Sequence, residues 1–191
     1  MLNFTDRILL ESSLSRVWSH IEEYDIAIIT AFKTSLVLCT GDNKQLTMGE
    51  NKERNHLLKA KLLHMNYGVT SIDGNWIENY GKTDAKESKE DSFFIVNIND
   101  ENFFKNITAL GEEFCQDSVI LKMKGQDAFL RGTNKSENPG LGIDKILGSW
   151  KGGKTAAMLS RINNRPFVFE HFGFLENIGK GYISRLINKD V

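Results

Sequence analysis

A chain of 191 residues, 40% apolar and 26% charged, with a formal net charge of −1, has the composition of an ordinary globular protein with room for a proper core. No apolar run approaches the roughly 20 residues of a transmembrane helix, and Met1–Asp6 lacks the basic and apolar regions of a signal peptide. The two cysteines, Cys39 and Cys115, lie far apart in apolar settings; this predicts buried reduced thiols and a reducing, cytoplasmic location.

Leu14, Val17, Trp18 and Ile21 fall on one helical face, with serines before them as N-cap candidates. Ile26–Phe32 is short, continuous and apolar, the pattern of a strand covered on both faces. Leu36–Cys39 extends it or turns back as a hairpin, and Gly41-Asp42-Asn43 is a turn. Glu50–Met65 is helical, with an apolar stripe of Leu57, Leu58, Leu62 and Met65 and with Gly68 as C-cap. Val69–Tyr80 is a strand in which Asp73-Gly74 signals a turn or bulge. The polar stretch Lys82–Glu90 predicts a mobile loop, and Ser92–Ile98 a central strand. Asn99 or Asp100 caps a second helix with Phe103, Phe104, Ile107, Leu110 and Phe114 on its buried side. Ser118–Met123 is the next strand, and Gly125-Gln126 predicts a two-residue hairpin into Ala128–Arg131.

The order strand, helix, strand, strand, helix, strand between Asp25 and Arg131 predicts an α+β fold, a ferredoxin-like split βαβ core with an antiparallel sheet. Residues 1–131 form this core with an N-terminal helix, and 132–191 form a glycine-rich loop and basic extension packed on it within one domain. Gly132–Gly153 shows little regular signal. A short helix (Thr155–Ile162), a strand (Pro166–Phe169) and a terminal helix (Tyr182–Ile187) follow.

Charge is uneven. Residues 1–121 carry 12 Lys and Arg against 19 Asp and Glu, whereas 122–191 carry 12 against 6. The basic end points to an anionic partner or to neutralisation of one half by the other. Richness in Lys, Asn and Ile fits a bacteriophage or low-GC bacterial source.

Gly148–Thr155 satisfies G-x-x-x-x-G-K-T, the string of a phosphate-binding loop. Such a loop needs a strand before it, further parallel strands after it and an acidic strand end for Mg²⁺. Only 36 residues follow Thr155 and no apolar run among them ends in Asp, which argues against a hydrolysing nucleotide loop. Lys151, Lys154 and the glycine amides remain as an anion site at a helix N-terminus, against a plain basic loop.

Asn51, Arg54 and Asn55 share one face of the first long helix and can hold an anion, clamp a neighbouring loop or simply cap. Together with Arg131, Lys151 and Lys154 they form the expected anion-binding set. Glu78, Asp91-Ser92 and Gln116-Asp117 stand at strand ends, where polar groups could converge or serve as turns. His20, His56, His64 and His171 lack metal spacing, and no cofactor motif or nucleophile motif occurs. Phe93, Phe94, Phe103 and Phe104 resemble a stacking platform for RNA, but adjacent strand residues point to opposite faces, so most of them are expected in the core.

Thr30-Ala31-Phe32, Glu50-Asn51-x-x-Arg54-Asn55, Asp91-Ser92 and Gln116-Asp117 resemble the motifs of a small bacterial and phage domain family of unknown function. That family has Glu-Ser where this chain has Asp91-Ser92, and a shorter loop after the first strand. The resemblance implies an α+β fold and no established activity. The weakness of every catalytic motif and the uneven charge lean away from an enzyme and toward a cytosolic, phage-type accessory protein that binds a host protein or an anionic ligand. The alternative is an enzyme acting on a nucleotide or nucleic acid; no membrane partner is implied.

Overall fold

The computed structural model describes residues 14–41, 43–78, 86–137, 139–152, 158–162 and 165–170. In chain order these form α1 (Leu14–Glu23), β1 (Ile26–Ile29), α2 (Val37–Thr40), α3 (Met48–His64), β2 (Gly68–Glu78), β3 (Lys86–Val96), α4 (Phe103–Glu113), β4 (Ser118–Lys122), β5 (Ala128–Gly132), β6 (Asp144–Gly152), β7 (Met158–Ile162) and β8 (Arg165–Glu170). The fold is α+β.

All strand pairs are antiparallel, and the sheet closes on itself in the order β1-β3-β2-β7-β8-β6-β5-β4. A ferredoxin-like sandwich would leave open edges at β2 and β4. Here β7 takes the β2 edge and β5 takes the β4 edge, so the polar edges are satisfied by a barrel. β5 spans the expected boundary at residue 131, and strands on both sides of it belong to the same barrel.

Side chains alternate along the strands with period two. Ile26, Ile28, Phe94, Val96, Ile120 and Leu130 form one core cluster, joined by Val17 and Ile21 of α1. Ala27, Ile29, Phe93, Ile95, Val119 and Leu121 point the other way, onto Leu58 and Leu62 of α3 and Phe103, Ile107 and Leu110 of α4. The two faces are therefore covered by different helices. Lys122, 4% exposed, lies at the α1 end, where its Nζ donates to the Ile21 carbonyl at 2.9 Å. Burial lowers its pKa, while Glu22, Asp127 and Asp25 oppose the shift.

Several expectations need correction. Leu36–Cys39 neither extends β1 nor forms a hairpin; it enters the four-residue helix α2, ended by Gly41 in the left-handed region at φ 76°. The buried stripe of α3 is Asn51, Asn55, Leu58 and Leu62, while Leu57 is 59% exposed. Gly68 begins β2 rather than capping α3. Thr47 and Glu50 close a capping box at the α3 start. β2 runs without a bulge, since Asp73 pairs with Asp91 and Gly74 with Glu90 in continuous register. Lys86–Glu90 is strand, not loop, because β2 supplies a partner for its whole length. Gly125 holds the third position of a Met123–Gln126 turn (Gln126 N–H to Met123 O, 3.0 Å) instead of the first. β6 orders part of the expected irregular stretch, and Met158–Ile162 is strand because β2 and β8 flank it. The terminal helix at Tyr182–Ile187 lies outside the described residues.

Cys39 and Cys115 form a disulfide with a Cα–Cα distance of 6.0 Å, overturning the expectation of reduced thiols. Among the described residues no helix is long and apolar enough to cross a membrane.

Candidate functional site

The chain leaves β1 through Thr30-Ala31-Phe32-Lys33. These residues pass beyond the ladder, so their main-chain groups need partners from elsewhere. Side chains supply them. Asn55 accepts from the Ala31 N–H at 2.8 Å and donates to the Asp91 carbonyl at 2.7 Å. Asn51 accepts from the Lys33 N–H at 2.8 Å and donates back to the Lys33 carbonyl at 3.0 Å. Arg54 Nε donates to the Ala31 carbonyl at 2.9 Å, and its Nη2 reaches the Phe114 carbonyl. Gln116 Nε2 donates to the carbonyls of Phe32 and Phe114, both at 3.1 Å. The Thr30 hydroxyl donates to the Asp91 carbonyl at 2.8 Å and accepts from the Phe32 N–H at 3.0 Å.

α3 explains why one helix can do this. Positions 51, 54, 55, 58 and 62 follow its spacing along one side, polar near the N-terminus and apolar beyond. The apolar half packs in the core, and the polar half replaces a missing strand for residues 31–33. Asn51, Asn55 and Gln116 are all buried. The Arg54 guanidinium lies 5.7 Å from the Phe114 ring centroid, and burial lowers its pKa from the usual arginine value.

A second layer abuts the clamp. Lys33 Nζ pairs with Asp117 Oδ1 at 2.5 Å, and Asn134 Nδ2 donates to the same oxygen at 2.7 Å. Asp117 remains half-exposed while Lys33 is largely covered. The Thr133 hydroxyl donates to the Gln116 carbonyl at 2.6 Å. Just before this layer the backbone of Gly132 lies close to Gly140: a Cβ at 132 would sit 1.7 Å from the Gly140 carbonyl oxygen.

All four motif segments of the sequence thus meet in one place, on Thr30–Lys33. Both polar atoms of Asn51 and of Asn55 bond to backbone, so these amides clamp the segment. Arg131 is paired with Asp144 through two bonds, at 2.8 and 2.6 Å, and this pairing raises its pKa. Lys151 lies within β6, opposite Val168, and Lys154 lies outside the described residues. Gly148–Gly152 is strand, and the element after it, β7, is also strand. No described helix follows the G-K-T string.

Lys33, Thr133 and Asn134 were not among the predicted residues. Their available signal was position alone, one residue past Thr-Ala-Phe and just after a strand ending in glycine. Glu78 ends β2 opposite Lys86. Among the described residues, no group of three or more His, Cys, Asp and Glu could hold a metal ion.

A family model described as the S-adenosylmethionine lyase family matches residues 37–166. No curated protein matches the chain. Among solved structures, a phage S-adenosylmethionine lyase in complex with S-methyl-5'-thioadenosine is similar at 19% identity, over 56% of this chain and 87% of that one, with a TM-score of 0.30. The family match overturns three expectations: the accessory binding protein, the absence of enzymatic function, and the roles in protein interaction and anion binding. It also replaces the family of unknown function with one whose description names a reaction.

Proposed function

Because the chain belongs to the S-adenosylmethionine lyase family, we propose that it breaks a carbon–sulfur bond of S-adenosylmethionine without adding water. The observation that supports this is the family match over residues 37–166, which takes in Asn51, Arg54, Asn55, Asp91, Gln116 and Asp117.

A cleavage without water can take its nucleophile from the substrate itself, which needs no base to remove a proton from carbon. The substrate carries such a nucleophile. Its carboxylate oxygen can bond to the carbon next to sulfur and close a five-membered lactone. The C–S electron pair then leaves on sulfur, and a neutral thioether departs. A negative and a positive charge cancel in that step and no proton moves. Removing water from around the two charges favours their cancellation. The protein's task is then to fold the substrate chain and exclude solvent. The clamp serves that task by holding Thr30–Lys33 against Asp91 of β3 and against Gln116 and Asp117, just before β4. Cytoplasmic location belongs to the same proposal, since the substrate is a nucleoside sulfonium of central metabolism.

The test is direct. The purified chain is incubated with S-adenosylmethionine and the mixture followed by mass spectrometry. Loss of substrate with equimolar S-methyl-5'-thioadenosine is expected. Substrate that survives at the rate of a protein-free control would refute the proposal.

A further inference from the structure

The segment after the clamp makes an excursion. It leaves at Lys33, enters α2, and returns to Thr47, the N-cap of α3. Its neck is closed by the Leu46 N–H donating to the Thr34 carbonyl at 2.9 Å and by a bridge between Ser35 and Gln45. α2 buries none of its residues, and Val37 and Leu38 are 40% and 45% exposed. Apolar packing therefore does little to hold this strap. The Cys39–Cys115 disulfide does.

Its other end is placed with consequence. Cys115 is 3% exposed and occupies the left-handed region at φ 56°, between α4 and β4. The residue before it, Phe114, offers the carbonyl that accepts from Arg54 and Gln116. The residue after it is Gln116, which holds the Phe32 carbonyl. The disulfide thus runs from an exposed strap to the middle of the clamp.

We propose that Cys39–Cys115 is a redox-sensitive site, and that its reduction releases the strap Thr34–Gly41 from the body of the protein. The step balances with an external dithiol. One thiolate attacks the sulfur of exposed Cys39, the Cys39–Cys115 bond breaks, and Cys115 leaves as a thiolate that takes up a proton. The second thiol then displaces Cys39 and closes the external disulfide. Two electrons and two protons pass to the protein. Neither the strap nor its bond depends on the lyase activity.

The test uses the full chain after oxidised glutathione or after dithiothreitol, with alkylation mass spectrometry and backbone hydrogen exchange. We expect no alkylated cysteine in the first state and two in the second. Exchange across 34–41 should be faster by about tenfold or more after reduction, with 93–96 unchanged. Cys39→Ser should exchange at the reduced rate in both conditions. Two alkylated cysteines after oxidised glutathione, or equal exchange across 34–41 in both states, would overturn the proposal. Because none of these readouts needs S-adenosylmethionine, an inactive protein leaves this test intact.

Discussion

Replacing Asn55 should cost more than its single side chain suggests. Asn55→Ala strips the Ala31 N–H, which is fully buried, of its partner at 2.8 Å. A buried donor left without a partner costs about 1–3 kcal/mol. The Asp91 carbonyl also loses its bond from Asn55, but keeps the one from the Thr30 hydroxyl at 2.8 Å. That second loss is therefore an ordinary hydrogen bond, about 0.5–1.5 kcal/mol. The sum is roughly 1.5–4.5 kcal/mol. Asn55→Asp sharpens the test, because it keeps the shape and the acceptor for Ala31 but turns a donor into an acceptor facing the Asp91 carbonyl. At pH 8 it should cost at least as much as alanine. Equilibrium urea unfolding measures both, with a midpoint lowered by roughly 1–2 M at unchanged slope. A cost below about 1 kcal/mol for Asn55→Ala would refute the view that this amide holds the segment.

Gly132→Ala should destabilise by about 3 kcal/mol or more, since the added carbon meets the Gly140 carbonyl, which is backbone and cannot swing aside; thermal unfolding within a degree or two of wild type would contradict it. Glu50 is held down to about 2 by Lys44 and the Thr47 capping bonds. A carboxylate lowered on folding contributes stability above its unfolded value of roughly 4 and loses it as pH falls toward 2. Glu50→Gln should therefore flatten the acid unfolding curve across that window, and an unchanged slope would count against the capping box. Tyr67 is pushed up to about 12, by burial first and then by its bond to Asp100. Its phenol should ionise later than free tyrosine in an ultraviolet titration, with stability lost as pH rises from roughly 10 through 12; a late step that persists in Tyr67→Phe would contradict the assignment.

Much of the scaffold was legible because burial and period agreed. β1 is apolar throughout and buried on both faces; α4 carries its apolar residues at helical spacing. α2 failed because Val37 and Leu38 are apolar yet exposed, so the usual link from hydrophobicity to strand did not hold. The α3 stripe came out rotated because two of its buried residues, Asn51 and Asn55, are polar. Nothing in composition marks an asparagine as buried; that follows from the backbone it serves. Met158–Ile162 looked helical locally, but pairing with β2 and β8 outweighed local preference. Barrel closure joins strands far apart in sequence, which periodicity cannot report. The site residues Asn51, Arg54, Asn55, Asp91 and Gln116 were visible as motifs. Their task, satisfying the backbone of 31–33, required the fold.

Cleavage of S-adenosylmethionine in water enriched in ¹⁸O separates internal ring closure from hydrolysis. Full conversion to S-methyl-5'-thioadenosine and a four-carbon product with no ¹⁸O on the carbon that left sulfur is expected. Label on that carbon would mean hydrolysis, and substrate left intact would mean no lyase activity; either result contradicts the account.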